Sequence, residues 1–328
     1  MTRRSTLLAL AAMALAPLAG HAFAQSSAAW PTRPIRVLVP FPAGGQLDVV
    51  VRLVAEKIAP ALGQPIVVEQ KLGADGNIAA DAVAKSAPDG YTWLATSVPF
   101  ATQPSLQPGK LRFDPVRDFV PVANLGTASF VLVVPNSVPV ASLAEFIAYA
   151  KARPGELSYA GTSVGSVTHL STEMFARSTG IRMQMIPYAG IPAAMSDLIA
   201  GRTQFMSTGV IAALPQIKAG NLKPLALLAA KRHPQLADVP TIVELGHPDL
   251  TVETWFGLLM PAGTPEAIVR RVNAEVMRAL QADDVLAKYQ SFGVDSVKPH
   301  PPEAYGALLA SEIARWGKVI RDANVKAE

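Results

Sequence analysis

The stretch Ile35-Arg36-Val37-Leu38-Val39-Pro40-Phe41-Pro42-Ala43-Gly44-Gly45-Gln46-Leu47-Asp48 joins a strand pattern to a helix pattern. Its first five residues form a short apolar run rich in valine and isoleucine, which predicts a buried strand. The prolines and glycines that follow predict a turn. Beyond the turn, apolar residues recur at helical spacing, at Val50, Val54, Ile58 and Leu62. The stretch therefore predicts a strand, a turn and a helix in immediate succession.

The same order repeats along the chain, and it restarts after Asp114-Pro115. Further strands are predicted at residues 66–69, 91–95, 130–134, 157–160 and 225–229. Amphipathic helices fall between them, and glycine-containing turns join the two kinds of element. This repetition predicts a mostly parallel sheet with helices on both faces.

The last third of the chain carries helix signals without strands, at residues 264–280 and 301–320. We expect these helices to return to the first unit. The predicted fold class is α/β, with two lobes, a hinge and a central cleft. Lobe 1 comprises residues 30–126 and 254–328, and the inserted lobe 2 comprises residues 127–253. The hinge is predicted near residues 125–128 and 252–256.

The first residues resemble a secretory signal peptide. Arg3 and Arg4 precede an apolar stretch at residues 7–18, and Ala22-Phe23-Ala24 fits a cleavage site. The apolar stretch is shorter than the roughly 20 residues that a membrane span needs. We therefore predict cleavage after Ala24 and export to the periplasm. The arginine pair leaves the twin-arginine route open beside the general one.

Composition excludes several function classes. A formal charge of +4 over 328 residues, without a Lys/Arg run longer than two, argues against a nucleic-acid surface. The chain has no cysteine, which removes thiol nucleophiles and thiolate metal sites. The histidines beyond the signal do not pair at i, i+4, so no metal site and no cofactor are predicted.

Two strand-turn-helix junctions, at residues 40–48 and 160–169, are the candidate binding features. Ligands of open α/β sheets bind beyond the carboxyl ends of the strands, where such turns lie. A helix N-terminus there offers free amides to an anion. Neither turn contains Lys or Arg, which favours a small carboxylate over a nucleotide.

Asp48 carries a charge beside the first of these turns. With Gly45 as N-cap, it stands at the third helical position, where a carboxylate can bond back to the cap amide. We favour this structural role over ligand contact. A bare carboxylate beside a bound anion would repel it unless the ligand also carries an amine.

An alternative function comes from Gly161-Thr162-Ser163-Val164-Gly165, which fits the G-x-S-x-G nucleophile turn of serine hydrolases. Asp238 and His247 would complete a triad in the right chain order, and His169 and His300 are other candidate bases. Against this, no HGGG-type oxyanion motif precedes the turn, and the fold pattern restarts as a second unit.

Motifs throughout the chain resemble the receptors of tripartite tricarboxylate transporters, also called Bug-type periplasmic solute receptors. They begin with residues 34–45 followed by Asp48 and continue in order to the last third. Further ones are Gly73-Ala74-Asp75-Gly76-Asn77-Ile78-Ala79, Ala87-Pro88-Asp89-Gly90-Tyr91-Thr92, the segment 113–122, His169-Leu170, Pro187-Tyr188-Ala189-Gly190, Asp238-Val239-Pro240-Thr241 and Pro261-Ala262-Gly263-Thr264-Pro265.

The resemblance implies a Venus-flytrap fold of the type II-like periplasmic-binding-protein kind. It implies a monomeric receptor without catalysis that passes a small carboxylate to integral-membrane transporter subunits. The carboxylate would be held mainly by backbone amides and bridging water. The residues carried over to the binding site are Phe41, Ala43, Gly44, Gly45, Ser97, Thr162, Ser163, Gly165, Ser166, His169, Tyr188, Ala189, Gly190 and Ser207.

Two departures from the family pattern lie in the predicted site. Asp75 stands where glycine is common, and Gln46-Leu47 where a small residue and Thr are common. Both bear on the far end of the ligand, which leaves open an aromatic dicarboxylate, an aliphatic dicarboxylate or an amino acid. Delivery to a sensor kinase rather than a transporter is also left open.

Overall fold

The computed structural model describes residues 30–322 and 325, and it begins with the predicted strand, turn and helix. Strand β1 (Ile35–Val39) leads into helix α1 (Gln46–Leu62), and Gly45 is the N-cap. The apolar residues of α1 that recur at helical spacing are buried against the strand layer. The predicted signal peptide, residues 1–24, lies outside the described residues.

Strands and helices alternate as far as the eighth strand of the described chain, and a ninth strand and three successive helices follow. The strands are β2 (Ile66–Gln70), β3 (Thr92–Ser97), β4 (Phe119–Pro135), β5 (Ser158–Gly161), β6 (Gln184–Pro187), β7 (Met206–Gly209), β8 (Leu222–Leu227) and β9 (Glu253–Pro261). The helices are α2 (Asn77–Ala84), α3 (Val98–Leu106), α4 (Leu143–Lys151), α5 (Val167–Thr179), α6 (Ile191–Ile199), α7 (Val210–Lys218), α8 (Glu266–Ala279), α9 (Asp283–Phe292) and α10 (Pro302–Asp322).

The main sheet has seven strands in the order β2-β1-β3-β9-β4-β7, and β8 also pairs with β4. Strand β1 is parallel to β2 and β3, whereas β9 is antiparallel to both β3 and β4. Strands β7 and β8 are antiparallel to β4. The prediction of a mostly parallel sheet is therefore wrong. The sheet is mixed because β4 and β9 run in opposite directions through its middle.

Strand β4 is 17 residues long, although the sequence predicted only its end at residues 130–134. Pro121, Asn124 and Gly126 interrupt the apolar pattern in its first part, and the pairing with β9 shifts register at these places. The extended shape of this part comes from its partner strand rather than from local propensity.

Three backbone segments meet where the hinge was predicted. Thr127 pairs with Trp255 across β4 and β9. Thr127 also exchanges backbone hydrogen bonds with Asp295, which follows α9, at N···O distances of 3.0 and 2.7 Å. The connection is thus a small antiparallel ribbon. The lobe boundaries themselves stay a prediction.

Helix α10 packs against α3 and β4. Its Glu312 is buried, and the Oε2 atom accepts hydrogen bonds from the indole nitrogens of Trp255 and Trp316, at 3.1 and 2.8 Å. The contact joins α10 to strand β9. Within residues 30–322, no helix has the length and apolar character to cross a membrane.

Candidate functional site

The side chain of Asp48, a residue that is only 3% exposed, supports the first turn (residues 41–45) through hydrogen bonds. Its carboxylate accepts hydrogen bonds from the Gly44 amide at 2.9 Å, from Arg52 Nε at 2.9 Å and from Gln70 Nε2 at 2.6 Å. The predicted bond to the cap amide of Gly45 is wrong by one residue, because that amide donates to the Pro42 carbonyl instead. The structural role expected for Asp48 is confirmed.

The first turn and the start of α1 leave several amides open. Hydrogen bonds within the turn occupy the amides of Gly44 and Gly45. The amides at the start of α1, on Gln46, Leu47 and Asp48, find no acceptor in the described part of the chain. Open amides and the helix dipole at a helix start favour an anion even without a basic side chain. Phe41 is half-buried and Ala43 is exposed at the rim.

The second turn (residues 161–166) satisfies most of its amides internally. Thr162 N donates to Thr168 Oγ1, Ser163 N to Ser166 Oγ, and Gly165 N to His169 Nδ1. The Ser166 amide donates to the Ser163 carbonyl, and the Ser166 hydroxyl caps α5. The groups left without a partner in the described residues are the hydroxyl of Ser163 and the amides of Val164, Val167 and Thr168. This turn therefore has more amides bonded to side chains of the turn and its helix than the first turn has.

His169 supports the second turn as a neutral imidazole. It is 8% exposed, and its Nδ1 accepts the Gly165 amide at 2.9 Å, so the proton resides on Nε2. Burial lowers the pKa of the ring, and the Glu173 carboxylate opposes that change. The ring stacks on Tyr159, whose hydroxyl donates to Glu173 at 2.7 Å. The ring leaves Nε2–H as a donor.

Tyr188, Ala189 and Gly190 lie beside the second turn. The Tyr188 amide donates to the Gly161 carbonyl at 2.8 Å, and Gly190 is the N-cap of α6. The Tyr188 hydroxyl donates to Asp197 at 2.9 Å, and burial together with this bond raises its pKa. Tyr188 is half-buried and Ala189 is exposed. A ligand would meet this segment through its backbone and ring rather than through the hydroxyl.

Ser97 and Ser207 occupy different environments. Ser97 ends β3, occupies the N-cap position of α3 without a side-chain capping bond, and lines a small cavity with Phe41. Ser207 lies inside β7 rather than after it, is fully buried, and accepts a hydrogen bond from Ser171 at 2.7 Å. The structure thus brings Ser97 to the first turn and keeps Ser207 in the strand layer.

The small cavity beside the first turn has a volume of about 10 Å³, roughly the room for one water molecule. Sequence reasoning missed part of its wall, because the residues come from three separate segments. The lining residues are Pro40, Phe41, Asp75, Gly76, Asn77, Leu94, Thr96, Ser97 and Phe100. Asp75 has a left-handed backbone, with φ of 51°, next to Ala74 with φ of 47°.

The side chains of Gln46, at the start of α1, and Leu106, at the end of α3, contact glycines in the second half of the fold. The carboxamide of Gln46 lies against Gly209, at the end of β7, where an added Cβ would overlap its Nε2 atom. Leu106, at the end of α3, lies in the same way against Gly165. Glycine at both positions permits this close approach.

The arrangement around Ser163 gives no support to a hydrolase. Among residues 30–322, the Ser163 hydroxyl makes no hydrogen bond to a histidine, and Asp238 makes none to His247. His169 uses Nδ1 on the turn itself. No group of three residues that could hold a metal ion occurs in the same described part of the chain.

Helix N-termini at the ends of strands, in an α/β fold whose halves are joined by a ribbon, are the arrangement expected of a solute-binding receptor. The match of residues 50–325 to the tripartite tricarboxylate transporter family receptor is the more specific finding. The chain belongs to that family, which is a family of receptors and not of enzymes. Receptors of this family are periplasmic.

Similar proteins cover almost the whole chain. The protein BugT of Bordetella pertussis is 39% identical over 310 residues, which are 94% of each chain. The structure of R. palustris Rpa4515 with adipate is 37% identical, with a TM-score of 0.85, and covers 90% of this chain and 99% of its own. MatC from Rhodopseudomonas palustris with bound malate is 35% identical, with a TM-score of 0.81, and covers 89% and 100%. The two-lobed fold class is thereby confirmed.

Proposed function

We propose that this receptor binds a small carboxylate in the cleft between lobe 1 (residues 30–126 and 254–328) and lobe 2 (residues 127–253), and delivers it to a tripartite tricarboxylate-type membrane transporter. The observation that carries the proposal is the set of open amides on Gln46, Leu47 and Asp48 at the start of α1. Such amides bind one carboxylate without a basic partner. Adipate and malate in the similar structures support a carboxylate as the ligand.

The proposed binding residues divide between the two turns. Phe41, Ala43, Gly44 and Gly45 shape the first turn, with Ser97 beside it. The second turn contributes Thr162 and the hydroxyl of Ser163, supported by Gly165, Ser166 and His169. Tyr188, Ala189 and Gly190 border that turn, and Ser207 contributes from the strand layer. No cofactor and no catalytic residue form part of the proposal.

The proposed place of action is the periplasm, with the chain cleaved after Ala24 and working as a monomer. The partners would be the carboxylate and the integral-membrane subunits of the transporter. Intact mass of protein recovered from the periplasm should correspond to a chain that starts at Gln25. A soluble product that retains residues 1–24 would contradict the proposed cleavage.

The test of the proposed function is a thermal-shift screen of the mature protein against carboxylates and their matched amides. A carboxylate at about 100 times its Kd should add ~2.7 kcal/mol to the free energy of unfolding, because it binds only the folded state. Its matched amide should add much less. The same carboxylate should lower the radius of gyration in solution scattering. Equal shifts from acids and amides would count against the amide-lined anion site.

A further inference from the structure

We infer that Gln46 is a specificity-determining residue, whose side chain sets the length of the carboxylate that the cleft accepts. The inference rests on the proposed function, since it concerns the same ligand. Gln46 is the first residue of α1, and its side chain extends from the first turn to Gly209 in the other half of the fold. It therefore occupies space between the two halves, next to the amides proposed to bind the carboxylate.

The contact between Gln46 and Gly209 is close enough to fix a distance. A Cβ built on Gly209 would overlap Nε2 of Gln46, and it would stand only 3.1 Å from both Cδ and Oε1. Gly209 has φ of −61°, which any residue adopts, so the backbone does not require glycine here. The missing side chain instead leaves the room that the carboxamide fills.

The segment that Gln46 contacts is held on its other side as well. Gly209 ends β7 and is followed by Val210, the first residue of α7, which is fully buried. Val210 Cγ1 lies 3.2 Å from the position that a Cβ on Gly293, after α9, would take. Ile211 packs against the apolar cluster to which α1 and α9 contribute. Because the start of α7 is packed from both sides, the length of the Gln46 side chain sets its separation from α1.

A ligand at the start of α1 shares its space with this side chain. The open amides of Gln46, Leu47 and Asp48 would bind one carboxylate, so the rest of the ligand starts beside the stem of Gln46. Gln46→Ala removes everything beyond Cβ, roughly the volume of two water molecules of ~30 Å³ each, which is room for about two methylene groups. A shorter side chain should therefore admit a longer acid.

The charge at position 46 gives a second, independent signature. Glutamate has the shape of glutamine but adds a negative charge, and that charge would lie beside the bound carboxylate and repel it. Acidic residues are favourable in the first turn of a helix, so Gln46→Glu should fold as well as the wild type does. It should nevertheless weaken the binding of every acid at least tenfold.

The experiment is isothermal titration calorimetry of the mature protein with three series of acids: dicarboxylates from malonate to suberate, monocarboxylates from acetate to hexanoate, and aryl acids from benzoate to 4-phenylbutanoate. In the series that binds, Gln46→Ala should move the best-bound acid to one about two methylene groups longer. Gln46→Glu should weaken the whole series. Gln64→Ala and Gln64→Glu are the matched controls and should change neither result, because Gln64 is also half-buried but lies beyond the opposite end of α1.

Gly209→Ala tests the contact from the other side. Its methyl group would displace the carboxamide of Gln46 into the cleft, so the best acid should bind at least tenfold more weakly. In the Gln46→Ala background the same methyl group meets no carboxamide, and Gly209→Ala should then have little effect. Equal losses in both backgrounds would show that Gly209 acts without Gln46, which would overturn the inference.

The outcomes separate this inference from the proposed function. If no acid of any series binds the wild type, the carboxylate receptor itself is contradicted. If acids bind but the best length is the same in the wild type and in Gln46→Ala, the role of Gln46 is overturned and the receptor stands. Wild-type affinity in Gln46→Glu would also overturn that role.

Discussion

Leu106 packs directly onto the α-carbon of Gly165, so closely that a methyl group on Gly165 would overlap Leu106 Cδ1. Leu106 ends α3, whereas Gly165 belongs to the second turn, with φ of 82°. The contact therefore joins a helix beside the first turn to the second turn, in the other half of the fold. Both partners must keep their size and shape for the two turns to approach.

Gly165→Ala should weaken carboxylate binding at least tenfold, because the new methyl group holds the two turns apart. Combining it with Leu106→Ala should restore part of the affinity. In both the single and the double variant, an alanine in the left-handed backbone also destabilises the folded state by ~1–2 kcal/mol. Gly220→Ala is the matched control, since Gly220 has φ of 73° and open space around it. Calorimetric titration gives the affinity of the wild type and of the three variants. Equal losses of affinity in Gly165→Ala and Gly220→Ala would show that backbone strain alone causes the loss.

The first turn and its helix could be predicted because every signal there is local. The apolar run of β1, the glycines and the helical spacing of α1 all lie within one short stretch. Gly45 is the N-cap that its position indicates, and Asp48 bonds the amide one residue earlier than predicted. The first part of β4 could not be predicted, because its extended shape depends on β9, which is more than a hundred residues away in the sequence.

The sequence predicted which turns belong to the candidate site but not how they contact each other. The contacts of Gln46 with Gly209 and of Leu106 with Gly165 join distant segments, and no local pattern marks them. The internal bonding of the second turn did have a signal. Ser166 and His169 stand three residues apart at a helix start, the spacing of a side-chain cap, and the structure shows both side chains bonded to the turn.

Asp48→Ala should destabilise the protein by ~2–3 kcal/mol, because it removes a buried carboxylate that binds an amide, a guanidinium and a carboxamide. It should also weaken ligand binding, since the first turn loses its support. Chemical denaturation measures the first effect. Glu56→Ala is the control on the same helix, because Glu56 is exposed and has no side-chain partner in the described chain. Equal stability of the two variants would contradict the supporting role of Asp48.

Ser163→Ala should weaken binding by about 10- to 150-fold, the equivalent of one hydrogen bond to a charged group at ~1.5–3 kcal/mol. The fold should stay intact, because the Ser163 backbone makes the turn bonds and its hydroxyl makes none. A fluorophosphonate probe should not label the wild type, since no histidine activates the hydroxyl. Stoichiometric labelling that disappears in Ser163→Ala would instead establish the hydrolase.

The stability of the protein should fall on acidification through the range just below pH 6.5. Burial depresses the pKa of His169 in the folded state below its ordinary value of about 6.5. The unfolded chain therefore takes up a proton at a higher pH than the folded chain does, so stability is complete above that value and is lost as pH falls toward the folded pKa. His233 is shifted in the same direction.

His169→Asn isolates the contribution of the one ring, because the amide oxygen can still accept the Gly165 amide but does not titrate in this range. The slope of the unfolding free energy against pH, between pH 7.5 and 5.5, should be smaller in the variant. Identical slopes would show that His169 is not protonated differently in the folded and unfolded states.

Glu312 accepts hydrogen bonds from the indoles of Trp255 and Trp316, and Trp255 belongs to the strand that forms the ribbon between the two halves. The chain has only four tryptophans, and two of them therefore share one carboxylate at this junction. An indole's emission wavelength depends on the charge beside it. A rotation of the ribbon relative to α10 that moves Trp255 away from Glu312 should therefore shift the emission maximum of the intrinsic tryptophan fluorescence. Closure of the protein could then be followed without a label.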